Sequence, residues 1–179
     1  MVIWILGKSG SGKTSLAKYM LRFKLKTLKW VHIDGDIIRK IFNDNSDFSS
    51  INRLNNAQRI SKIVKLLDEQ NINVIVSSLT NFKYWLKWNR KNFKNYFEIY
   101  LRVNMKTLLK RDKKNLYISA LKKKIKNVVG VDIKFNKPDN PDLILDNNKK
   151  LKNFEVLSKK IFSNQKFKKI LKNEEIKSI

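Results

Sequence analysis

Short runs of apolar residues alternate along the chain with longer segments in which apolar residues recur every three or four positions. A short apolar run predicts a buried strand, and the longer period predicts a helix. The predicted strands are residues 2–6, 30–33, 74–76, 97–101 and 143–145. The predicted helices are residues 14–27, 37–42, 53–70, 82–93, 105–110 and 116–128. This alternation indicates an α/β fold with a five-stranded parallel sheet covered by helices on both faces.

The segment after Asp146 also carries apolar residues at helical spacing, among them Leu151, Phe154, Leu157 and Ile161. It predicts C-terminal helices over about residues 149–173 that pack on the sheet. An amphipathic helix at a membrane surface is the weaker alternative. No linker or repeat divides the 179 residues, so we expect one domain spanning residues 1–179.

No apolar run approaches the ~20 residues that cross a bilayer. The apolar start, residues 1–6, lacks the basic segment of a signal peptide. The chain has no cysteine, which excludes disulfides and thiolate metal sites and fits a reducing compartment. We therefore expect a cytoplasmic protein without a membrane partner.

The chain is strongly basic, with 40 Lys+Arg against 15 Asp+Glu and a formal net charge of +25. Such a charge is common in nucleic-acid-binding proteins, so a surface that binds polyanions is one hypothesis. The excess is mostly lysine and is spread along the chain, and asparagine, whose codons are also A-rich, is abundant too. We therefore favour solvated lysines on helix faces, with nucleic acid not expected as the partner.

Residues 7–14 are Gly-Lys-Ser-Gly-Ser-Gly-Lys-Thr and match the pattern G-x-x-x-x-G-K-[ST] in full. The pattern follows a predicted strand and opens a predicted helix, which is the context of a P-loop. Its glycines let backbone N–H groups surround phosphate oxygens at the positive end of the helix. Lys13 is expected to reach the β- and γ-phosphates of ATP, and Thr14 to ligate Mg²⁺. The residues expected to bind ATP are Gly7, Ser9, Gly10, Ser11, Gly12, Lys13, Thr14 and Ser15.

A P-loop so early in a chain of 179 residues is typical of small nucleotide-type kinases with a P-loop NTPase fold. Asp34 and Asp36 follow the second predicted strand, on either side of Gly35. Ligands of open α/β sheets bind at the carboxyl ends of strands. One carboxylate there could accept a hydroxyl proton or hold a water bound to Mg²⁺. The alternative is that the pair only caps the following helix.

Residues 32–39, His-Ile-Asp-Gly-Asp-Ile-Ile-Arg, resemble the D-G-D-N-x-R segment of adenylylsulfate (APS) kinases. Further segments resemble the family patterns F-S, D-R-x-E-N-I-R-R, S-P-[YF], F-x-E-V-[FY], R-D-P-K-G-L-Y, G-[IV]-D and P-E-L-x-L-[DN]. In that order they lie at residues 48–49, 52–59, 80–82, 97–100, 111–117, 130–132 and 141–146. The resemblance runs from residue 2 to about residue 146 and is far more specific than a P-loop alone.

Such kinases move the γ-phosphoryl group of ATP to the 3′-hydroxyl of APS, giving PAPS, and the resemblance implies this function, with sulfate assimilation as one setting. It also implies a homodimer. As catalytic residues beside Lys13, it implies Asp36, which would orient or deprotonate the 3′-hydroxyl, and Asp34, which would support Mg²⁺ through a water. Arg111, with Lys113 and Lys114, would belong to a lid over about residues 111–130 that closes on ATP.

The residues that the resemblance implies for acceptor binding are Asp36, Arg39, Phe48, Arg53, Asn56, Thr80 and Lys114. Guanidinium groups suit the phosphate and sulfate of the acceptor, and an aromatic face suits its base. Taken singly, Arg53 could be an ordinary residue at a helix start and Phe48 an ordinary core aromatic.

The chain departs from the family pattern at several positions, among them Asn52, Gln58, Asn81 and Asn115. The most informative departure is Val128, where the family usually has a second Phe that closes the other side of the acceptor base. Loss of this ring weakens the stacking of adenine and could admit a smaller base. APS is the first acceptor expected from the sequence, and cytidine diphosphoramidate, the substrate of related kinases, is the alternative.

Two further features have alternative interpretations. His32, the single histidine, is expected to be packed or at the surface rather than catalytic. The aromatic residues within 82–96, interleaved with lysines and arginines, could stack on single-stranded nucleic acid, as in a basic nucleic-acid-binding P-loop protein or a polynucleotide kinase. We favour a helix packed on the sheet or a subunit interface.

Overall fold

The structure is a computed structural model and describes residues 1–26, 28–42, 48–80, 82–149 and 154–177. Five strands and eight helices lie in these ranges. The strands are β1 (Val2–Leu6), β2 (Trp30–Asp34), β3 (Asn73–Ser78), β4 (Tyr96–Arg102) and β5 (Leu143–Asp146). The helices are α1 (Lys13–Phe23), α2 (Gly35–Ile41), α3 (Ser50–Glu69), α4 (Lys83–Asn92), α5 (Met105–Lys110), α6 (Leu116–Leu121), α7 (Phe154–Ser163) and α8 (Gln165–Lys177).

The five strands form one parallel sheet in the order β2-β3-β1-β4-β5. β1 lies at its centre, and all five of its residues are buried. A central parallel strand is covered on both faces, so it needs apolar side chains throughout rather than an alternation. The predicted five-stranded parallel sheet is confirmed.

Helices cover both faces of the sheet. On one face, Ile5 of β1 packs in a cluster with Leu16 of α1 and Phe167 of α8. On the other face, Trp4 of β1 packs in a cluster with Ile60 of α3. The predicted covering on both faces is therefore confirmed. The carboxyl ends of the parallel strands meet at one edge, where the loops that follow β1 and β2 lie together.

The aromatic residues around α4 pack on the sheet. Trp85 and Phe93 are buried, and the ring of Phe93 stacks on Trp4 of β1 with 6.2 Å between centroids. Trp88 meets Phe93 edge to face. The interpretation of this segment as a helix packed on the sheet is confirmed by Trp85 and Phe93, whose rings are buried, while Tyr84 remains exposed.

Two predicted helices end earlier than expected. α1 ends at Phe23, where the N–H groups of residues 24 and 25 both bond to the carbonyl oxygen of Met20. The predicted end at Thr27 lies outside the described residues. α6 ends at Leu121 rather than at Val128, because Lys123 adopts a left-handed backbone with φ 56°. A left-handed residue is a common helix terminator, and a run of lysines offers no apolar face to stabilise another turn.

The C-terminal helices pack on the face of the sheet that α1 covers. Leu157 and Ile161 of α7 and Phe167 of α8 are buried there, which confirms the predicted docking of this segment. Within the described residues, the two helices run from Phe154 to Lys177 and so extend past the predicted end at about residue 173. The first residues of the predicted segment, among them Leu151, lie outside the described residues. Within the described ranges, no helix combines the length and apolar character that crossing a bilayer requires.

Candidate functional site

The loop between β1 and α1, residues 7–12, contains close backbone contacts that require glycine. A Cβ at Gly7 would lie 2.5 Å from the carbonyl oxygen of Leu101. Gly12, the N-cap of α1, has φ 97°, and a Cβ there would lie 3.0 Å from Nδ2 of Asn147. A side chain fits poorly at either position. α1 begins directly after this loop, so its unpaired N–H groups and positive end are available to a phosphate.

Lys13 is held inside the loop, where its Nζ donates a hydrogen bond of 2.9 Å to the carbonyl oxygen of Lys8. Burial lowers the pKa of Lys13 to about 8, although the carboxylates of Asp36 and Asp34 favour the charged form. A buried ammonium that has lost part of its hydration is stabilised by an incoming anion. The side chain is therefore suited to bind the phosphates of a nucleotide.

The hydroxyl of Thr14 in α1 donates a hydrogen bond of 2.6 Å to Oδ2 of Asp34, at the end of β2. Ser77 of β3 donates to the same oxygen at 2.8 Å. Burial raises the pKa of Asp34, but these hydrogen bonds and one from the N–H of Asp36 outweigh it and hold the pKa below its ordinary value. Asp34 is therefore an ionised carboxylate beside the phosphate loop.

Thr14 and Asp34 fit a magnesium ion that is held mainly by a nucleotide. In the part of the chain that the structure describes, no cluster of three or more His, Cys, Asp or Glu could hold a metal. Mg²⁺ usually takes one or two protein oxygens and fills its other positions with water and substrate phosphates. Because the hydroxyl of Thr14 gives its hydrogen to Asp34, its lone pairs remain available to a cation.

The two carboxylates at the end of β2 differ in their surroundings. Oδ1 of Asp34 accepts the N–H of Asp36 at 2.9 Å and caps α2. The capping alternative therefore holds for one oxygen of Asp34, while its other oxygen binds Thr14 and Ser77. Asp36 lies in the first turn of α2 and is exposed. It is the carboxylate of the pair that remains accessible to a ligand.

Phe48 lies between the helices that carry two arginines, and its ring is half-exposed. The guanidinium carbon of Arg39 is 4.8 Å from the ring centroid, and that of Arg53 is 5.2 Å from it. Nε of Arg53 also donates to the carbonyl oxygen of Phe48 at 2.8 Å. Two cations beside an accessible aromatic face are suited to an anionic ligand that bears a ring.

Three buried polar atoms of residues that the sequence predicts for acceptor binding have no hydrogen-bond partner within the described residues. They are Nε and Nη1 of Arg39 and Oδ1 of Asn56. Nδ2 of Asn56 donates to the carbonyl oxygen of Gly35 at 3.2 Å, which orients the amide. Buried polar groups without a partner are rare, and a missing ligand is one of the common reasons for them. These atoms point to a ligand that donates and accepts hydrogen bonds.

The predicted lid segment, residues 111–130, contacts both halves of this site. The hydroxyl of Tyr117 in α6 donates to the carbonyl oxygen of Ser9 at 2.8 Å. Nη2 of Arg53 donates to the carbonyl oxygen of Asn127 at 2.8 Å. Arg111 donates to the carbonyl oxygen of Lys149, and its Nη1 is buried with no partner in the described part of the chain.

The remaining predicted residues lie at different depths. Thr80 is fully buried and accepts a hydrogen bond from Nε1 of Trp4 at 3.1 Å, so its hydroxyl already has a partner in the core. Lys114 is exposed on the turn before α6, and Ser15 is exposed in the first turn of α1. Ser11 is buried, and its carbonyl oxygen accepts a hydrogen bond from Asn147.

Val128 is buried beside the site rather than open to it. It is 3% exposed and packs in a cluster with Leu108, Tyr117 and Ala120. The turn that holds it is closed by Asp132, whose carboxylate accepts the N–H groups of Asn127 and Val128. Residue 128 is therefore part of an apolar cluster and carries no aromatic ring.

Sequence reasoning missed two residues of the site. Ser77 is the next-to-last residue of β3, the strand next to β2. Asn147 follows β5, and its Nδ2 donates to the carbonyl oxygen of Ser11 at 2.9 Å. Both are polar residues at the carboxyl end of a strand. This is the signal that pointed to Asp34, and it could have found them.

A sequence model of the family described as Adenylylsulphate kinase matches residues 1–146. This stretch holds all five strands of the sheet and helices α1 to α6. It also holds every residue that the sequence predicts for the site.

Two curated relatives carry different substrate names. The cytidine diphosphoramidate kinase of Campylobacter jejuni is 40% identical over 147 residues, which are 82% of this chain and 85% of that protein. The probable adenylyl-sulfate kinase of Archaeoglobus fulgidus is 33% identical over 150 residues, which are 83% of this chain and 96% of that protein.

Among solved structures, the APS kinase of Mycobacterium tuberculosis in complex with AMPPNP and APS has a TM-score of 0.77 and 28% identity. The match covers 88% of this chain and 95% of that chain. The family match, the relatives and this structural similarity agree with the phosphate loop and the parallel sheet. The chain belongs to the adenylylsulphate kinase family and is a kinase with an α/β P-loop fold.

Proposed function

We propose that this protein transfers the γ-phosphoryl group of ATP to the 3′-hydroxyl of a nucleotide whose 5′ end carries a modified, diphosphate-like group. Cytidine diphosphoramidate is the acceptor that we place first, and adenylyl sulfate is the second candidate. One observation carries the reaction: Lys13 and Thr14, the first residues of α1, lie beside Asp34 and Asp36 at the same edge of the sheet.

The phosphate loop binds and orients ATP in this proposal. Its backbone N–H groups and the start of α1 would surround the phosphates, and Lys13 would lie against the β- and γ-phosphates. Thr14 and Asp34 would hold Mg²⁺, which when bound neutralises charge on those phosphates. Phosphoryl transfer needs little covalent help from a protein, so positioning and charge stabilisation account for most of the catalysis.

Asp36 is the residue that would receive the proton of the acceptor hydroxyl. Both oxygens of Asp34 already accept hydrogen bonds, from Thr14 and Ser77 on one side and from the N–H of Asp36 on the other. The carboxylate of Asp36 is exposed next to them. It can therefore approach a hydroxyl without breaking an existing hydrogen bond.

Arg39, Arg53 and Asn56 would bind the charged end and ribose of the acceptor, with Phe48 against its base. The unpartnered nitrogens of Arg39 and the accessible ring of Phe48 support this placement. Guanidinium groups bind phosphate-like oxygens in pairs, and this geometry suits a substituted diphosphate.

We place cytidine diphosphoramidate before adenylyl sulfate for two reasons. Residue 128 is a buried valine rather than an aromatic residue, and the cytidine diphosphoramidate kinase of Campylobacter jejuni is 40% identical to this chain. With Phe48 on one side of the base and valine at position 128, adenine would lose more stacking area than cytosine would. The sequence by itself favours APS, and these two observations lead us to reverse that order. Adenylyl sulfate stays the second candidate because the chain resembles a kinase solved with APS.

The test is ATP turnover by the purified protein with each acceptor in parallel, with the position of the new phosphate determined by ³¹P NMR. We expect kcat/KM for cytidine diphosphoramidate to exceed that for adenylyl sulfate by about tenfold or more, since base stacking is worth about 1–3 kcal/mol. Lys13→Ala should abolish turnover of both. A ratio in favour of adenylyl sulfate would select the second candidate, and turnover of neither would refute the proposal.

A further inference from the structure

His32 lies on β2 two residues before Asp34 and joins a chain of hydrogen bonds that ends at the phosphate loop. Its Nε2 is 3.0 Å from Oγ of Ser77. Oγ of Ser77 is 2.8 Å from Oδ2 of Asp34, and Oγ1 of Thr14 is 2.6 Å from the same oxygen. The single histidine of the sequence is thus connected through two side chains to Thr14.

The strand register explains why these residues meet. β2 pairs with β3 so that Asp34 lies opposite Ser77. His32, two residues before Asp34, lies opposite Ile75. Residues 32 and 34 of a strand point to the same face. That face is the one covered by α1, which carries Thr14.

The donor in each of these hydrogen bonds follows from the number of hydrogens that the side chains carry. An ionised carboxylate only accepts, so the hydroxyl hydrogens of both Thr14 and Ser77 point to Oδ2 of Asp34. A serine hydroxyl has a single hydrogen, and that of Ser77 is committed to Asp34. Nε2 of His32 must therefore carry a hydrogen and donate it to Oγ of Ser77.

This donation matters because Ser77 has a second neighbour. Its Oγ is 3.5 Å from Oγ1 of Thr14. Without a donor at His32, the Ser77 hydroxyl can turn and donate to Thr14, or accept the hydrogen of Thr14. Either arrangement would change which lone pairs of Thr14 are available to a cation.

We propose that His32 is a positioning residue for the magnesium–nucleotide site. By donating to Ser77, it keeps the hydroxyl hydrogens of Ser77 and Thr14 directed at Asp34, so that Thr14 presents its lone pairs to the cation. This inference rests on the proposed function in taking Thr14 as a ligand of Mg²⁺. In this role His32 acts through Ser77 rather than by touching a substrate.

The experiment compares His32→Leu, which keeps side-chain bulk without a donor, with His32→Gln, whose amide N–H can donate. His32→Ala serves as a second variant without a donor. Val31→Ala is the control for a weakened β2, because Val31 is half-buried on the same strand and packs on the opposite face. For each protein, calorimetry measures ADP affinity with Mg²⁺ and with EDTA, and electron paramagnetic resonance measures Mn²⁺ affinity in the presence of ADP.

We expect His32→Leu and His32→Ala to weaken Mn²⁺ binding by about threefold or more. Direct partners of metal ligands are typically worth about 10–100-fold in affinity, and the effect is smaller here because His32 acts through Ser77. ADP affinity in EDTA should stay unchanged, and His32→Gln should recover most of the loss. Unchanged Mn²⁺ affinity without the donor, no recovery in His32→Gln, or an equal loss in Val31→Ala would overturn the inference. These measurements need no acceptor, so the outcome does not depend on which nucleotide is phosphorylated. A wild-type protein whose ADP affinity did not increase with Mg²⁺ would instead refute the metal site of the proposed function.

Discussion

Nη2 of Arg53 donates a hydrogen bond of 2.8 Å to the carbonyl oxygen of Asn127, 74 positions further along the chain. The same guanidinium donates from Nε to the carbonyl oxygen of Phe48. Arg53 therefore joins the aromatic face of the candidate acceptor site to the segment that follows α6. Burial lowers the pKa of Arg53, and the nearby charge of Arg39 adds to this effect. An anion bound near both cations would relieve that cost.

Arg53→Ala should impair use of the acceptor far more than binding of ATP. A hydrogen bond to a charged group is worth about 1.5–3 kcal/mol, so KM for the acceptor should rise roughly 10–100-fold. Steady-state kinetics with each substrate varied in turn measure both constants. Lys62→Ala is the matched control, because Lys62 is an exposed cation on the same helix and lies over Trp88. Equal effects of Arg53→Ala on ATP and acceptor would argue against the assigned position of Arg53.

Nucleotide affinity should fall as the pH rises above about 8. Burial lowers the pKa of Lys13 from 10.5 to about 8. Between these two pH values the amino group of Lys13 in the free protein is therefore mostly uncharged, whereas an ordinary lysine would still be charged. A bound phosphate favours the charged form and raises the pKa again, so binding above pH 8 takes up a proton. Calorimetry of ADP binding in two buffers of different ionisation enthalpy at pH 7 and pH 9 detects that proton. Lys13→Ala should bind weakly and without the uptake; uptake that persists in this variant would assign the proton to another group.

The stability of the fold should depend on the protonation of Glu98. This side chain is 2% exposed in β4, and burial raises its pKa from 4.5 to about 7. Arg90 lies 3.5 Å away, but its main partner is Asp142. Between about pH 4.5 and 7 the folded protein therefore binds more protons than the unfolded chain, and stability falls as the pH rises.

Glu98→Gln removes this titration while keeping the shape of the side chain. Across that pH range, the free energy of unfolding of the wild type should fall relative to Glu98→Gln by roughly 1–3 kcal/mol. Urea denaturation of both proteins at pH 4.5, 6 and 7.5 measures the difference. A constant difference across the range would show that Glu98 keeps an ordinary pKa in the fold.

Val128→Phe should shift acceptor selectivity towards adenine. In the proposed site, a ring at this position would add a second aromatic surface to that of Phe48, and stacking on one base is worth about 1–3 kcal/mol. The ratio of kcat/KM for adenylyl sulfate to that for cytidine diphosphoramidate should rise about tenfold. Because Val128 is buried beside Tyr117, the larger ring must turn out of the cluster, and thermal unfolding should accompany the kinetics. Val128→Leu adds bulk without a ring and should leave the ratio unchanged; an equal shift in that variant would assign the effect to packing.

Much of the fold followed from patterns that are local in the chain. The strands consist of four to seven residues and are centred on short apolar runs, and all five were predicted to within two residues at either end. The phosphate loop was predicted because its glycines, lysine and threonine act through backbone geometry over eight consecutive residues. Helix ends were predicted less accurately. The end of α6, for example, depends on the left-handed backbone of Lys123 rather than on the spacing of apolar residues.

The sequence by itself determined the order of strands and helices, the phosphate loop and the pair Asp34 and Asp36, because each depends on neighbours within a few residues. Only the tertiary structure decided which distant side chains meet. The bond between His32 and Ser77 spans 45 positions and depends on the register of β2 against β3. Likewise, Val128 is buried because the turn closed by Asp132 directs it into a cluster with Tyr117. Such contacts arise from the packing of whole elements, which no local pattern specifies.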